Sequence, residues 1–210
     1  IIKGGERYVY GSTTYHTTNN IKNGDTIWIK GDLKAYGTWH GFQSCDQQSD
    51  GSIWDMYSTT KRYFPIKGGS AAGMDIEHSL PKSWWGGNEN DAYKDLYLLN
   101  PADRVANNNK SNYPPGIRND SNKVNNNVFF MGKDTQWNDY AFSVIDEYKG
   151  DFARAYFYVA TAYHDMKWDA SYSKYVTNTS YLTFTPYLIE VLLQWHRIDP
   201  VSEKEINRLD

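Results

Sequence analysis

Polar and apolar side chains alternate with a period of two along residues 71–80, AAGMDIEHSL. One side of this segment carries Met74, Ile76, His78 and Leu80, and the other carries Asp75, Glu77 and Ser79. A period of two is typical of a β-strand, because successive side chains point to opposite faces. Pro81 limits the strand, since proline cannot donate a backbone hydrogen bond. The pattern predicts a strand that ends at Glu77 and His78.

A second strand and a short helix are predicted directly downstream. The apolar run KDLYLLN (94–100) favours a strand. NPADRVANNNK (100–110) favours a helix with Asn100 as its N-cap, Pro101 in the first helical position and Asp103 in the first turn. The asparagine cluster then ends this helix after about two turns. The predicted local order is strand, loop, strand and short helix.

The C-terminal part of the chain has helical periodicity. Apolar residues recur at helical spacing along 150–166 and again along 181–199. In the second of these, Thr185 precedes a proline, which predicts an N-cap followed by proline in the first helical position. Near the end, Ser202 and Glu205 are spaced as in a capping box. Two helices and a final short one are therefore predicted.

The N-terminal part of the chain, about residues 1–70, is rich in Gly, Thr, Tyr and Trp. TIWIK (26–30) alternates as a strand does, whereas SIWDMYS (52–58) is compatible with a strand or one helical turn. The length of 210 residues fits one domain with a substantial core. The chain begins with Ile1 rather than Met, which either a removed signal peptide or trimming would explain.

Composition narrows the function only modestly. The formal net charge of −3 argues against a generic basic nucleic-acid coat, but not against an enzyme that uses a bound cation. Cys45 is the only cysteine, so no intrachain disulfide can form. The chain has 18 Tyr and 8 Trp, which either build the core or stack on bases and sugars. Trp84 and Trp85 are expected to pack beneath the predicted strands.

Several catalytic motifs are absent. The order Glu-His with lysine at position 82 does not match the two histidines of a zincin, and no G-x-S-x-G elbow or P-loop is present. What remains is His78, a candidate general base, beside the hard oxygen donor Glu77, with an asparagine on the downstream helix. Such a set suggests phosphodiester hydrolysis on one Mg²⁺. By itself, however, an isolated Glu-His pair is more often a surface salt bridge or a buried histidine whose hydrogen bonds are satisfied.

Two long blocks, DIEHSLPKSWWGG (75–87) and DLYLLNPADRVANNNKSNYPPG (95–116), resemble the endonuclease I family of secreted and periplasmic bacterial nucleases. The family's pattern is E-H-x-x-P-x-S-W, then D-L-x-x-L-x-P, then an Asn that leads into R/K-S-N-Y-P-x-G. Three further blocks resemble the same family: GSIWDMYS (51–58), GDFARAYFY (150–158) and LLQWHRIDPVSEKEINR (192–208). The resemblance therefore spans roughly residues 50–208.

The resemblance implies an α+β fold, with a single mixed α/β domain over residues 1–210, a helical C-terminal part and a ββα-metal (His-Me finger) motif at about 72–110. It implies a metal-dependent endonuclease with little sequence preference that leaves 5′-phosphate and 3′-hydroxyl ends on DNA, with RNA as an open second substrate. The implied cofactor is Mg²⁺, with Ca²⁺ or Mn²⁺ as substitutes. A monomer that is secreted or periplasmic, with no membrane partner, is expected.

By position, the resemblance assigns His78 as the general base and Glu77 and Asn107 as metal ligands. Asp95 is expected to support the site without contacting the metal, because it precedes the supporting strand. The arginine with which some members grip the scissile phosphate has no clear counterpart, and the candidates for that role are Lys82, Arg104, Lys110 and Arg118. Lys110 replaces a common arginine, which keeps the charge but loses the bidentate fork. Tyr97 and Leu98 stand where members often carry His or Asn.

Alternatives remain for these assignments. Glu77 could pair with Lys82, and strict alternation would point it away from His78 unless a bulge or the strand's end intervenes. Asn107 could be a helix C-cap, with the neighbouring asparagines leaving the register open. Two rival functions also stay open: a non-catalytic nucleic-acid or glycan-binding module of the same fold, and a hydrolase of another phosphodiester.

Overall fold

A computed structural model describes residues 38–66, 69–117, 127–137, 139–179 and 183–208, together with the backbone of short strands at 2–3, 7–10, 13–16, 26–27 and 123–124. The chain divides into two compact units, Ile1–Ala35 and Tyr36–Asp210. The expectation of a single domain over residues 1–210 stays a prediction.

The first unit contains two antiparallel strand pairs. Strand β1 (Ile2–Lys3) pairs with β4 (Thr26–Ile27), and β2 (Arg7–Tyr10) pairs with β3 (Thr13–His16). The strand predicted at 26–30 therefore begins as expected, while residues 28–30 lie outside the described part of the chain.

The second unit alternates short strands with helices. Its helices are α1 (Thr38–Cys45), α2 (Arg104–Lys110), α3 (Asp146–Ala162), α4 (Pro186–Ile198) and α5 (Glu203–Asn207). Its strands are β5 (Met74–His78), β6 (Leu99–Asp103), β7 (Lys123–Val124), β8 (Phe129–Lys133) and β9 (Tyr140–Val144). Antiparallel pairing joins β5 to β6, and β8 to both β7 and β9. Small antiparallel sheets beside helices confirm the predicted mixed α+β class.

Helix α2 begins later than predicted, because the residues before it belong to strand β6. Asn100 and Pro101 belong to β6, where they pair with β5, and α2 begins only at Arg104. The cap is Asp103, whose Oδ1 accepts hydrogen bonds of 2.9 Å from the N–H groups of the second and third helical residues. Just beyond β5, the Ser79 N–H donates to the Leu98 carbonyl. Hydrogen-bonded and non-hydrogen-bonded pairs alternate along an antiparallel ladder, so Pro101 lies in a non-hydrogen-bonded pair and its missing N–H costs no hydrogen bond.

The C-terminal helices largely follow their sequence signals. Helix α4 begins at Pro186 as predicted, although the Thr185 hydroxyl donates to the Lys174 carbonyl instead of capping the helix. Ser202 and Glu205 form the predicted capping box of α5. Helix α3 starts four residues before the predicted 150, because Asp146 and its acidic neighbour favour a helix N-terminus. No helix among the described residues is long and apolar enough to cross a membrane.

An aromatic core lies between α3, α4 and the β8–β9 hairpin. Trp84 is fully buried, stacks on Tyr172 and Tyr175, and meets Tyr156 edge-on. Trp85 is also buried, so both tryptophans pack as expected. Residues 52–58 form neither of the predicted elements: two isolated bridges lead into a buried turn.

Candidate active site

His78 is the last residue of β5, and a backbone carbonyl fixes its ring. Its Nε2 lies 3.0 Å from the carbonyl oxygen of Tyr93. A carbonyl can only accept, so Nε2 carries the proton and Nδ1 of the neutral ring is left as a proton acceptor. The rings of Tyr93 and Trp85 flank the imidazole, with centroids 4.9 Å and 6.1 Å away.

The position of that carbonyl comes from a 3₁₀ turn, Asp91–Lys94. Asn90 caps the turn, and its Oδ1 accepts a 3.1 Å hydrogen bond from Tyr93 N–H. The sequence carried no signal for this contact, because any residue at position 93 would present a carbonyl.

The environment of His78 keeps the imidazole neutral. The pKa of His78 is lowered to about 4, chiefly by burial; the bond to the Tyr93 carbonyl acts in the opposite direction, and the nearby ammonium groups of Lys82 and Lys110 contribute to the lowering. A histidine with this pKa is unprotonated near neutral pH. It is therefore ready to accept a proton.

Glu77 lies on the other side of β5, against helix α2. Its carboxylate is buried, and its Oε1 lies 2.5 Å from the ammonium of Lys110, which is itself fully buried. At this distance the contact is an ion pair between two buried groups. Burial raises the pKa of Glu77, and the charge of Lys110 opposes that rise.

Pairing along β5 and β6 is regular, so no bulge brings Glu77 and His78 together. Their side chains contact different elements: α2 on one side, and the 3₁₀ turn on the other. The alternative pairing of Glu77 with Lys82 is wrong, because Lys82 lies over the Tyr93 ring, 3.4 Å from its hydroxyl. The two residues share one strand end and are linked there by Lys110, whose Nζ also lies 3.4 Å from the carbonyl of His78.

Asn107 lies on α2, one turn before Lys110, and is partly buried. No described residue forms a hydrogen bond with its side chain. It is not the C-cap, which is Ser111 with a positive φ of 47°. Asn108 is more exposed, and the exposed Asn109 donates to the carbonyl of Val105. Asn107 is less exposed than both neighbours, and its side chain, unlike that of Asn109, has no hydrogen-bond partner on its own helix.

Asp95 connects the segment before β6 to helix α3. Its Oδ2 accepts hydrogen bonds from the hydroxyls of Tyr158 at 2.7 Å and Tyr163 at 2.6 Å. Its Oδ1 accepts from Tyr97 N–H at 2.8 Å. The carboxylate is thus occupied by the protein itself.

Of the four candidate phosphate contacts, the three that the structure describes lie in different surroundings. Lys82 is exposed, and Arg104 is exposed while donating to Asp75 at 2.9 Å. Lys110 is fully buried and paired with Glu77, so the structure places it in the interior rather than on a substrate surface. Arg118 lies outside the described residues.

A network of buried polar side chains, which the sequence did not predict, bonds to the β5–β6 strand pair. Lys204 of α5 is buried, donates to Asn100 Oδ1 at 2.7 Å and pairs with Asp46 at 3.1 Å. Asn100 in turn donates to Ser79 Oγ at 2.6 Å and lies opposite Glu77 in the register. A buried lysine has no distinct sequence signature.

Two side chains could hold a metal. No group of three or more His, Cys, Asp or Glu residues in the described ranges is arranged to bind one. Glu77 and Asn107 nevertheless offer a carboxylate and an amide oxygen, and Mg²⁺ usually takes only one or two such protein donors. The chemistry of these two oxygen donors fits such a ligand set.

A comparison with known protein families gives a match over most of the chain. The family model described as Endonuclease I matches residues 13–210, which is nearly the whole chain. No curated protein gives a significant match. A match of this extent shows that the chain belongs to the Endonuclease I family, and it is accordingly a nuclease whose substrate is nucleic acid.

Proposed function

We propose that the protein is a metal-dependent endonuclease with little sequence preference, which hydrolyses phosphodiester bonds of DNA to 5′-phosphate and 3′-hydroxyl ends. In this proposal β5, β6 and α2 form a ββα-metal motif. The observation that carries it is the neutral His78, whose Nε2 is bound to the Tyr93 carbonyl and whose Nδ1 is a proton acceptor. A secreted or periplasmic location remains part of the proposal.

His78 would act as the general base. Its Nδ1 would take a proton from the attacking water, and the Tyr93 carbonyl would stabilise the imidazolium that forms, because the Nε2–H then donates a charge-assisted hydrogen bond. The flanking rings of Tyr93 and Trp85 restrict the imidazole to one orientation. The base is thus positioned before substrate arrives.

Glu77 and Asn107 would hold the metal. Mg²⁺ bound there would offset the charge that develops on the phosphate and on the leaving 3′ oxygen. The charge of Lys110 favours the ionised form of the buried Glu77 carboxylate, which a metal ligand requires, and so opposes the rise in pKa that burial causes. RNA is a second candidate substrate, and Ca²⁺ or Mn²⁺ are candidate substitutes for Mg²⁺.

Substrate affinity should come from dispersed charges. Residues 75–133 carry seven Lys or Arg and seven Asp or Glu, so their formal charges balance over this segment. Lys82 and Arg104 remain exposed for phosphate contacts. Binding should therefore be weak and sensitive to salt.

Nicking of supercoiled plasmid with Mg²⁺, with EDTA and with His78→Ala tests the proposal. General-base catalysis contributes about 10²–10⁴-fold, so the variant should lose activity by that factor. The matched control is His164→Ala, which removes an exposed histidine and should leave the rate unchanged.

Three outcomes would contradict the proposal in different ways. Intact plasmid with folded wild-type protein favours a binding module, and cleavage of only a small chromogenic diester favours another phosphodiesterase. Metal-dependent nicking that survives His78→Ala would show that another residue is the base.

A further inference from the structure

Three large aromatic rings are exposed near the β8–β9 hairpin. Tyr113 is 38% exposed, Tyr140 46% and Trp137 42%. Rings of this size usually contribute to cores, as Trp84 does in the same unit. We refer to Tyr113, Tyr140, Trp137 and the neighbouring Lys133 as the aromatic strip.

The rings of the strip are held in place by other rings. The centroids of Tyr113 and Tyr140 are 5.7 Å apart, and that of Trp137 lies 4.2 Å from Tyr187. Each ring therefore packs on one side and is accessible on another. Because packing already restricts their rotation, a ligand that stacks on them has little side-chain entropy to remove.

Hydrogen bonds to one buried carboxylate hold the turn that carries Trp137. Asp134 is buried, and its Oδ1 accepts hydrogen bonds from Gln136 N–H at 2.8 Å and Trp137 N–H at 2.9 Å. Its Oδ2 accepts from Ile117 N–H at 2.5 Å, which ties the turn to the segment that follows Tyr113. A Cβ at Gly116 would lie 2.9 Å from this same Oδ2, so the close approach requires glycine there.

The strip carries a positive charge. Lys133 is the cross-strand partner of Tyr140, so their side chains lie next to each other on one face of the hairpin. Lys133 is exposed and forms no ion pair with any residue in the described ranges. The nearby charges of Lys174 and Asp139 pair with each other. The free charge beside the rings is therefore a cation.

The strip is also connected to the candidate active site. Tyr113 N–H donates to the carbonyl of Lys110 at 3.0 Å, and Lys110 is the partner of Glu77. The Lys110 ammonium lies 5.1 Å from the ring centroid of Phe142, on the same strand as Tyr140. The strip and the candidate active site are thus linked through Lys110.

We propose that the aromatic strip binds unpaired bases of the nucleic-acid substrate, which gives the enzyme a preference for single-stranded or locally melted sites. The proposal rests on the nuclease function above. Proteins bind single strands with exposed aromatic rings, which stack on the bases, and with nearby cationic side chains, which attract the phosphates. A duplex hides its base faces and can use only the charge.

The test measures binding without cleavage. The anisotropy of a labelled oligothymidylate of about 12 nucleotides, within the usual footprint of such sites, is recorded with the whole chain in EDTA, and is compared with a duplex of the same length. Tyr113→Ala/Tyr140→Ala should weaken single-strand binding about tenfold or more, because each stacked base contributes measurably. Duplex binding should stay unchanged.

Two controls separate stacking from damage to the fold. Tyr113→Phe/Tyr140→Phe keeps the rings and should bind the single strand as the wild type does. Tyr63→Ala removes a 57% exposed ring outside the strip and should have no effect. Single-strand binding unchanged in the double alanine variant, equal weakening of both substrates, or displacement of the wild-type oligonucleotide by a neutral oligosaccharide would overturn the proposal. Plasmid nicking is scored separately, so failure of the nuclease function and failure of the strip are distinguishable.

Discussion

The two sides of strand β5 bury an ionisable group in opposite ways. On the side of the 3₁₀ turn, His78 has aromatic neighbours and a carbonyl but no paired carboxylate among the residues that the structure describes, so burial keeps it neutral. On the side of α2, Glu77 is more deeply buried but has the ammonium of Lys110 at 2.5 Å. Adjacent residues on one strand thus become a proton acceptor and a paired carboxylate.

The difference lies in the countercharge rather than in the degree of burial. Removing an ion from water disfavours the charged form of either residue. A fully buried partner of opposite charge opposes this effect for Glu77, although burial still raises its pKa, whereas the cations near His78 add to the effect of burial. The proposed chemistry needs both states: a neutral base and an ionised ligand.

The largest expected effect comes from removing the ion-pair partner of Glu77. Lys110→Met leaves a buried carboxylate without its partner, and loss of one member of a buried pair costs about 3–5 kcal/mol. Urea unfolding should show this loss in the free energy of unfolding. The double variant Glu77→Gln/Lys110→Met should recover most of it, because neither group is then charged. A single-variant loss below about 1 kcal/mol, as at surface pairs, would contradict the comparison.

A smaller effect should come from adding the metal. Mg²⁺ at about 100 times its dissociation constant should raise the free energy of unfolding by about 2.7 kcal/mol, because it binds only the folded chain. Glu77→Gln should abolish this gain and Asn107→Ala should reduce it. Asn108→Ala, on the same helix, is the matched control and should retain it. Loss of the gain in Asn108→Ala but not in Asn107→Ala would move the ligand by one residue.

The smallest effect should come from the turn that holds His78. Asn90→Ala removes the cap on Tyr93 N–H and should cost about 1 kcal/mol of stability. Plasmid cleavage should slow, because the carbonyl that orients the imidazole is less firmly placed. Asn90→Asp keeps the acceptor and should restore both properties. Slower cleavage that persists in Asn90→Asp would show that the cap is not the cause.

Local signals in the sequence predicted much of this frame. Alternation predicted β5, proline at position 186 predicted the start of α4, and the spacing of Ser202 and Glu205 predicted a capping box. Each of these signals involves residues that are close together in the sequence, so each can be recognised from the sequence alone.

Features that depend on pairing across the fold were not predictable in this way. Asn100 and Pro101 look like a helix start, yet pairing with β5 makes them strand residues and leaves the capping to Asp103. A lysine usually signals surface, and only the buried Glu77 explains why Lys110 lies in the interior. The carbonyl that fixes His78 belongs to the backbone and carries no side-chain signal.

The protonation state of the His78 ring tests the central claim most directly. Long-range ¹H–¹⁵N correlation spectra of the imidazole, assigned by comparison with His78→Ala, report both the tautomer and its titration with pH. We predict the Nε2–H tautomer, neutral from pH 8 down to a pKa of about 4. An Nδ1–H tautomer, or titration near the ordinary value of about 6.5, would contradict the assignment of His78 as a base held neutral by its surroundings.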